Sequence, residues 1–379
     1  MRISLTPGHR DRTSYRHMLT VAASASLTLS IASCNISAYG QEPRLTALSS
    51  QSVEDLKLGV SAQDLHDASL RILPTKAGTL FISTGTATKT SDADVTRFVS
   101  RDPSTDQFQW AASIEPSVIS VNMPNSISGS NGGYAQTASQ SHTGNIIVSP
   151  DGRYVSMVLT PDETQRGVPA TDRHTHVVVL DTQTGKTIRT AEISGIILGQ
   201  ALTNSTLAVE TAQNYFPAGS GKGTITTFSL TDTSAQPSSF PTDKWLVGAT
   251  RENLALAPEP FSDNCSYGCS MMTVALINAD GSTAGSISGV TAVHPGGWIH
   301  RVADPKSDEQ QLVNPSIKKT IDITGKRTFE RGVSTGPGLL VEQDIPDGKG
   351  SRESKPVFWL SSTDDGHPHT ENLEQFENH

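Results

Sequence analysis

The sequence predicts an all-β chain built from repeated four-stranded antiparallel sheets. Three observations predict it: a turn-rich composition poor in charge, short β-branched runs separated by Asp, Thr and Gly turns, and the regular spacing of those turns. Charged residues make up 18% of the 379, against about 25% in an average chain. The remaining polarity is Ser, Thr, Asn and Gln, a mix that disfavours coiled coils and helical solenoids, which need Ala, Glu, Lys and Leu. No run reaches the roughly 18 unbroken apolar residues of a spanning helix. The net charge of −9 argues against a nucleic-acid partner, because the phosphate backbone would repel the chain.

The clearest repeat runs from Asn145 to Gly195. Four apolar runs are separated by turns. Pro150-Asp151-Gly152 turns the first run into the second, and Asp181 to Lys186 turns the third into the fourth. Val177 to Leu180 is apolar throughout, as expected of a strand covered on both faces. The third-to-fourth turn is echoed at Asp102–Asp106, Leu230–Thr233, Asn278–Gly281, Ile323–Lys326 and Thr363–Gly366. From the Asp181 turn onward the centres lie about 50, 48, 44 and 40 residues apart, close to the period of a four-stranded propeller blade. The first interval, about 79 residues, holds the Ser-, Asn-, Gly- and Gln-rich stretch 119–143 and is either an insertion or a degenerate blade. The expectation is therefore a β-propeller over residues 44–366 with six or seven blades. The tail 367–379 reads as flexible and acidic, and the last blade as lacking its fourth strand. The spare β run Arg44 to Ser49 would supply that strand and close the ring.

Residues 145–195 resemble a YVTN-type propeller blade, in which S-P-D-G and D-x-x-T-G-K fall at these places. The D-x-x-T-G-x-x-x-W pattern of quinoprotein-like propellers is similar to Asp102–Trp110, with Asp106 in place of Gly, and to Asp181–Arg189, with Arg in place of Trp. That resemblance implies that Trp110 docks against the neighbouring blade. WD40 repeats fit less well, since no Trp-Asp pair closes a blade.

The N-terminus reads as an address. Arg2, Arg10, Arg12 and Arg16 stand against one acid, Asp11, and precede an uncharged stretch from Leu19 to Ser33. This is the pattern of a secretory signal, too short to span a membrane as a stable helix. Its end, Ile31-Ala32-Ser33-Cys34, resembles a bacterial lipobox. The resemblance implies removal of residues 1–33, acylation of Cys34 by fatty acid such as palmitate, and a tether over 34–43 that holds an extracytoplasmic domain to the cell membrane. The bland alternative is an ordinary cleaved signal with an incidental cysteine. No twin-arginine pair is present, which favours the general secretory route. The other two cysteines, Cys265 and Cys269, are expected to bridge in an oxidising compartment, with Gly268 supplying the turn. Half of a metal site is the competing reading, but no histidine lies between residues 177 and 293.

Propellers host both enzymes and binding scaffolds, so function has to be argued from a site. The segments 160–175, 211–223, 258–270, 304–312 and 342–355, with the insertion 119–143, are all expected on one face, the pattern of a recognition surface. Tyr134, Tyr215, Phe216, Phe261 and Tyr267 lie in them among polar residues. Exposed aromatics favour contact with a partner or glycan; packing down on their own loops is the alternative. No catalytic set emerges. His174 and His176 read as a solvated loop end, His367 and His369 as idle tail residues, and Asp364-Asp365 as turn acids. Gly219 to Gly223 lacks phosphate-loop spacing, and no Gly-x-Ser-x-Gly elbow is present. No cofactor and no metal are expected. The chain reads as a lipid-tethered binding or scaffold module for a protein or glycan of the cell envelope. The alternative is a lactonase-like or quinoprotein-like propeller enzyme with its site at the central channel.

Overall fold

A computed structural model describes residues 42–55, 70–84, 95–102, 105, 107–119, 145–161, 172, 174–212, 223–259, 261, 271–304, 306, 308–333, 336–346, 352–362 and 364–376. The chain divides into two compact units, Met1–Ala38 and Tyr39–His379, and every described residue belongs to the second.

Valine, isoleucine, threonine and leucine dominate the strands, as pleated, half-buried surfaces require. The first sheet contains β1 (Arg44–Leu48), β2 (Leu70–Pro74), β3 (Thr79–Thr84), β4 (Thr96–Arg101) and β5 (Phe108–Glu115), in the order β1-β5-β4-β3-β2. A short helix, α1 (Ser50–Asp55), follows β1. The second sheet is the meander β6 (Ile146–Val148), β7 (Tyr154–Val158), β8 (His174–Asp181) and β9 (Thr187–Ser194). The third is β10 (Ile196–Leu202), β11 (Thr206–Ala212), β12 (Gly223–Ser229) and β13 (Ser238–Thr242). A seven-stranded sheet follows: β14 (Trp245–Ala249), β15 (Leu254–Ala257), β16 (Met272–Ile277), β17 (Thr283–His294), β18 (Trp298–Asp304), β19 (Glu309–Asn314) and β20 (Lys319–Asp322). The last is β21 (Lys326–Val333), β22 (Gly336–Pro346), β23 (Arg352–Ser361) and β24 (Pro368–His369). The protein is all-β, with several four-stranded antiparallel sheets, as its composition implied.

The seven-stranded sheet is two four-stranded meanders sharing β17. β17 pairs with β16 from Thr283 to Val290, and Val290 to His294 pair with β18. The strand bends at Gly289, whose φ of 72° is left-handed and where a methyl group would lie 2.2 Å from Val302 O. Only glycine fits there. The first strands of successive meanders adjoin one another: β6 with β10, β10 with β14, β14 with β17, and β21 with β2.

Apolar side chains fill the spaces between sheets. Leu80 and Phe98 of the first meet Val155, Met157 and Val178 of the second. Val177 and Val179 meet Leu207 and Val209 of the third. Ala208 and Ile225 meet Leu246 and Leu256 of the next. This two-sided burial explains why β8 carries no polar alternation.

Polar contacts repeat from sheet to sheet as well. The turn after each of the first four opening strands begins with a buried hydroxyl: Thr75, Ser149, Thr203 and Thr250 are each at most 2% exposed. These oxygens accept the N–H groups of Gly78, Tyr154, Thr206 and Asn253 at 3.2, 2.9, 2.9 and 2.9 Å. The turns are also tied to one another. Lys76 N–H donates to Gly152 O (2.9 Å), Asp151 N–H to Asn204 Oδ1 (3.1 Å) and Asn204 N–H to Arg251 O (2.9 Å). Arg251 Nη2 then donates to Ser362 O (3.0 Å) and to Asp364 O in the last sheet.

Three sequence expectations are corrected. Arg44–Leu48 does not complete the last sheet. It pairs with β5, Arg44 opposite Glu115 and Leu48 opposite Ala111, as a fifth strand on the first sheet. The chain after it is anchored there: Ser49 Oγ caps α1 by accepting Ser52 N–H (3.1 Å), and Val53 packs on Val99 and Ala111. The last sheet has its own fourth strand, β24, from the segment read as a flexible tail, with Trp359 opposite His369 and Leu360 opposite Pro368. The Ile323–Lys326 turn joins β20 to β21, not a third strand to a fourth; that role belongs to the residues between Asn314 and Lys319. The turn misleads because Asp322 Oδ1 accepts Thr324 N–H (3.0 Å), the same local geometry that Asp232 and Asp280 make with Ser234 and Ser282.

The docking of Trp110 on the adjacent sheet is seen directly. Its Nε1 donates to Thr182 O (2.8 Å), and a methyl group at Gly185 would lie 2.5 Å from its ring. Gly185 also has φ +66°. Trp110→Ala should cost about 3 kcal/mol, the usual scale for losing a packed aromatic, read by urea unfolding. Gly185→Ala should lower stability too, and in the double variant the losses should be less than additive, since both remove one contact. Full additivity would show that the two residues do not act as a unit.

Candidate functional site

In an antiparallel meander the first-to-second and third-to-fourth turns lie at one end of the sheet and the second-to-third connection at the other. The hydrogen-bonded turns at 75–78, 149–153, 203–205 and 250–253 mark the first end, the turn end. The connections at the opposite end span 85–95, 159–173, 213–222 and 258–271 in the first four meanders. The fourth-to-first connection 116–145 departs from that end too. The long segments are therefore gathered at one end of the sheets. Two segments expected to be loops are largely strand: β18 and β19 leave only 305–308, and β22 and β23 leave only 347–351. Among the described residues, two large apolar side chains are prominently exposed, Met271 (48%) and Ile345 (41%). Both stand at the loop end, Met271 just before β16 and Ile345 near the end of β22.

Of the aromatics expected to form a recognition surface, Phe261 is placed in the core. It is 7% exposed and clusters with Trp245, Met272 and Val293, so it takes the packing alternative. Tyr134, Tyr215, Phe216 and Tyr267 lie outside the described residues, as do Cys34, Cys265 and Cys269.

The histidines are better placed than the sequence suggested. His174 and His176 belong to β8, not to a solvated loop, and His176 is 5% exposed. His174 Nδ1 is 3.2 Å from Glu192 Oε1 and 3.1 Å from Ser194 Oγ, while His176 Nε2 is 4.0 Å from Glu42 Oε2. His369 is not idle. Its Nε2 is 2.6 Å from Asp364 Oδ2, and its ring lies 5.6 Å from that of Trp359. Exposed His367 pairs with Asp365 at 3.0 Å. Asp364 Oδ1 also accepts Gly366 N–H at 2.7 Å, so this acid holds a turn. Among the described residues no group of three or more His, Cys, Asp or Glu is arranged to hold a metal ion.

Two titratable groups without a sequence signal stand out, half-buried His300 and buried Glu210. His300 on β18 has Nε2 3.1 Å from Gln310 Oε1, and its ring lies 6.1 Å from that of His294, whose Nε2 is 3.4 Å from Thr328 Oγ1. Burial first, and His294 second, push the His300 imidazole down to about 4. Glu210 on β11 is 1% exposed. Its Oε2 accepts Leu246 N–H of the adjacent sheet at 2.9 Å, across an apolar interface. The amide is reachable because β14 and β15 shift register between Leu246 and Gly248. Oε1 has no hydrogen-bond partner among the described residues. Burial pushes the carboxyl up to about 7, partly offset by the Leu246 amide. No local motif announces Glu210: it follows Leu207-Ala208-Val209 on β11.

No protein-family model matches the chain, and no curated protein matches it in sequence. Solved structures similar to it include the Pyrococcus horikoshii acylaminoacyl peptidase, at TM-score 0.41 and 11% identity over 76% of this chain. The chain spans 43% of that peptidase's length. The β-propeller domain of the Trilobed protease from Pyrococcus furiosus gives TM-score 0.38 and 12% identity over 76% of this chain and 82% of the other. A Synechocystis apocarotenoid oxygenase mutant gives TM-score 0.37 and 12% identity, over 78% and 69% respectively. No activity follows from likenesses at this level.

Glu210 makes stability depend on pH. The folded chain holds this proton up to about pH 7, whereas an ordinary carboxyl releases it near 4.5. The native state therefore binds more protons in between, and the contribution to unfolding free energy falls as pH rises from 4.5 to 7. The loss should be on the order of 3 kcal/mol. Glu210→Gln should flatten this part of the stability profile, measured by urea unfolding at several pH values. An unchanged slope would show that Glu210 does not hold the proton.

Proposed function

We propose that the chain is an extracytoplasmic binding module, a ring of six four-stranded blades held to the cell membrane by lipid on Cys34. Its loop end recognises a protein or glycan of the cell envelope. Support for the ring comes from adjoining first strands and from the contact of β21 with β2. Support for the address comes from the basic, then apolar, then Ile31-Ala32-Ser33-Cys34 sequence of the N-terminus.

One observation carries the binding reading: the two ends of the sheets are built differently. At the turn end, short connections are tied to one another through backbone hydrogen bonds and buried hydroxyls. The loop end carries the long connections and, among the described residues, the two prominently exposed large apolar side chains, Met271 and Ile345. Apolar groups offered to solvent beside variable-length loops on a rigid scaffold are the usual makings of a recognition surface.

Replacing 213–222 and 262–270 by short Gly-Ser connections should abolish in-cell crosslinks to envelope components, while substitutions of exposed residues at the turn end, such as Lys186→Ala, leave them intact. Crosslinks unaffected by the loop replacements would overturn the assignment of the loop end. Separately, Cys34→Ser should release the protein from the membrane fraction or leave its signal uncleaved. Unchanged retention of a cleaved Cys34→Ser protein would overturn the lipid anchor.

A further inference from the structure

The chain enters the first sheet at the loop end. β4 and β5 are joined at the turn end, so β5 runs toward the loop end and finishes there at Glu115. β1 lies antiparallel to β5, with Arg44 opposite Glu115 and Leu48 opposite Ala111. It therefore starts at the loop end and runs toward the turn end. Glu42, just before β1, is 89% exposed, and its Oε2 is 4.0 Å from Nε2 of His176, near the loop-end start of β8.

Reach then decides orientation. A fully extended chain covers at most about 3.6 Å per residue, so the stretch from Cys34 to Glu42 spans about 29 Å at most. β5 has eight residues and measures about 27 Å at the usual rise of a strand. A tether to lipid on Cys34 would spend nearly all its reach running back along one sheet before the turn end touched a bilayer. The loop end needs none of it. The exposed apolar side chains lie at the same end. Met271 (48% exposed) precedes β16 in the seven-stranded sheet, and Ile345 (41%) lies near the end of β22 in the last sheet. With β1 in the first sheet, three different sheets carry these features, which marks a face rather than one flank.

From this geometry we infer that the loop end rests on the lipid surface to which Cys34 is attached, with Met271 and Ile345 entering the interfacial layer of the bilayer. The inference rests on the reading of Cys34 as the lipid site. It names the bilayer surface as the loop end's own contact, so that any protein or glycan recognised there is met at that surface. Two apolar side chains bury too little to hold a domain on a bilayer by themselves. Acyl chains supply the attachment, and a short tether keeps the loop end at high local concentration beside the lipid, so a weak contact stays made. Methionine and isoleucine suit the interfacial layer because neither brings a charge that must be desolvated.

The test uses the full acylated chain in vesicles of phosphatidylethanolamine and phosphatidylglycerol, with and without brominated acyl chains, which quench tryptophan at short range. Trp245, Trp298 and Trp359 are at most 6% exposed and give a steady background. Met271→Trp and Ile345→Trp each place a reporter at the loop end, and Lys186→Trp places the same group at an exposed position of the turn end. Expected is a loss of the added fluorescence of about twofold at 271 and at 345, and none at 186. Quenching no greater at 271 and 345 than at 186 overturns the inference, and either loop-end variant serves if the other fails to fold. A crosslink in cells from position 271 to an envelope protein, without quenching in vesicles, assigns the face to that protein and also overturns it. The mass of the mature chain keeps the two readings apart. An unacylated Cys34 overturns the lipid anchor and the inference with it, whereas an acylated chain without loop-end quenching overturns the inference alone.

Discussion

A four-stranded sheet with two apolar faces cannot stand alone in water, and the contact that answers this constraint in the first three sheets is the docking of each on a turn of the next. Trp110 on β5 lies on the Thr182–Gly185 turn of the second sheet. Arg189 on β9 takes the corresponding role one sheet later: its Nη1 donates to Thr233 O at 2.7 Å, and its guanidinium lies 5.3 Å from the Phe228 ring centre. Phe240 on β13 packs against Gly281, close enough that a methyl group there would lie 2.7 Å from its ring. A tryptophan, an arginine and a phenylalanine do one job because the job is to cover a turn with a flat or stacked group. Once each sheet is set in this way, the apolar faces between neighbours are sealed.

The same constraint divides the molecule into two ends. At the turn end, backbone donors and acceptors are used to tie one sheet to the next, so little is left for anything else. Buried hydroxyls such as Thr203 and Thr250 satisfy amides that would otherwise be stranded in the interior. The loop end is free of that duty. Connections there can lengthen without disturbing the sheets, because added loop length costs little in closure entropy. Long loops, Met271 and Ile345 coincide at that end for this reason.

Glu210 departs from the rule that the inter-sheet spaces are apolar. A leucine or valine at that position would cost nothing in desolvation, whereas the carboxyl gains one amide hydrogen bond and leaves one oxygen without a partner among the described residues. Such a group destabilises the fold whenever it is ionised, and proteins retain groups of this kind where chemistry or binding needs them.

What the sequence determined by itself is what short-range chemistry determines. The Asp181 turn was legible because Asp181 Oδ1 accepts the N–H groups of Gln183 and Thr184 within the turn, both at 3.0 Å. The strands were legible because β-branched runs between such turns have few other options, and the docking of Trp110 only through the resemblance of Asp102–Trp110 to the D-x-x-T-G-x-x-x-W pattern of quinoprotein-like propellers. Turn chemistry does not state which strands it joins, so Ile323–Lys326 reads like a third-to-fourth turn although it joins β20 to β21. Nor does a strand's composition state which edge it will cover: Arg44–Leu48 suits the last sheet as well as the first, and it covers the first, where α1 anchors the chain. The tertiary structure alone decided the burial of His176 and Phe261, the exposure of Met271 and the isolation of Glu210. Each depends on groups far away in the chain, and burial and the local dielectric arise only when those groups are brought together.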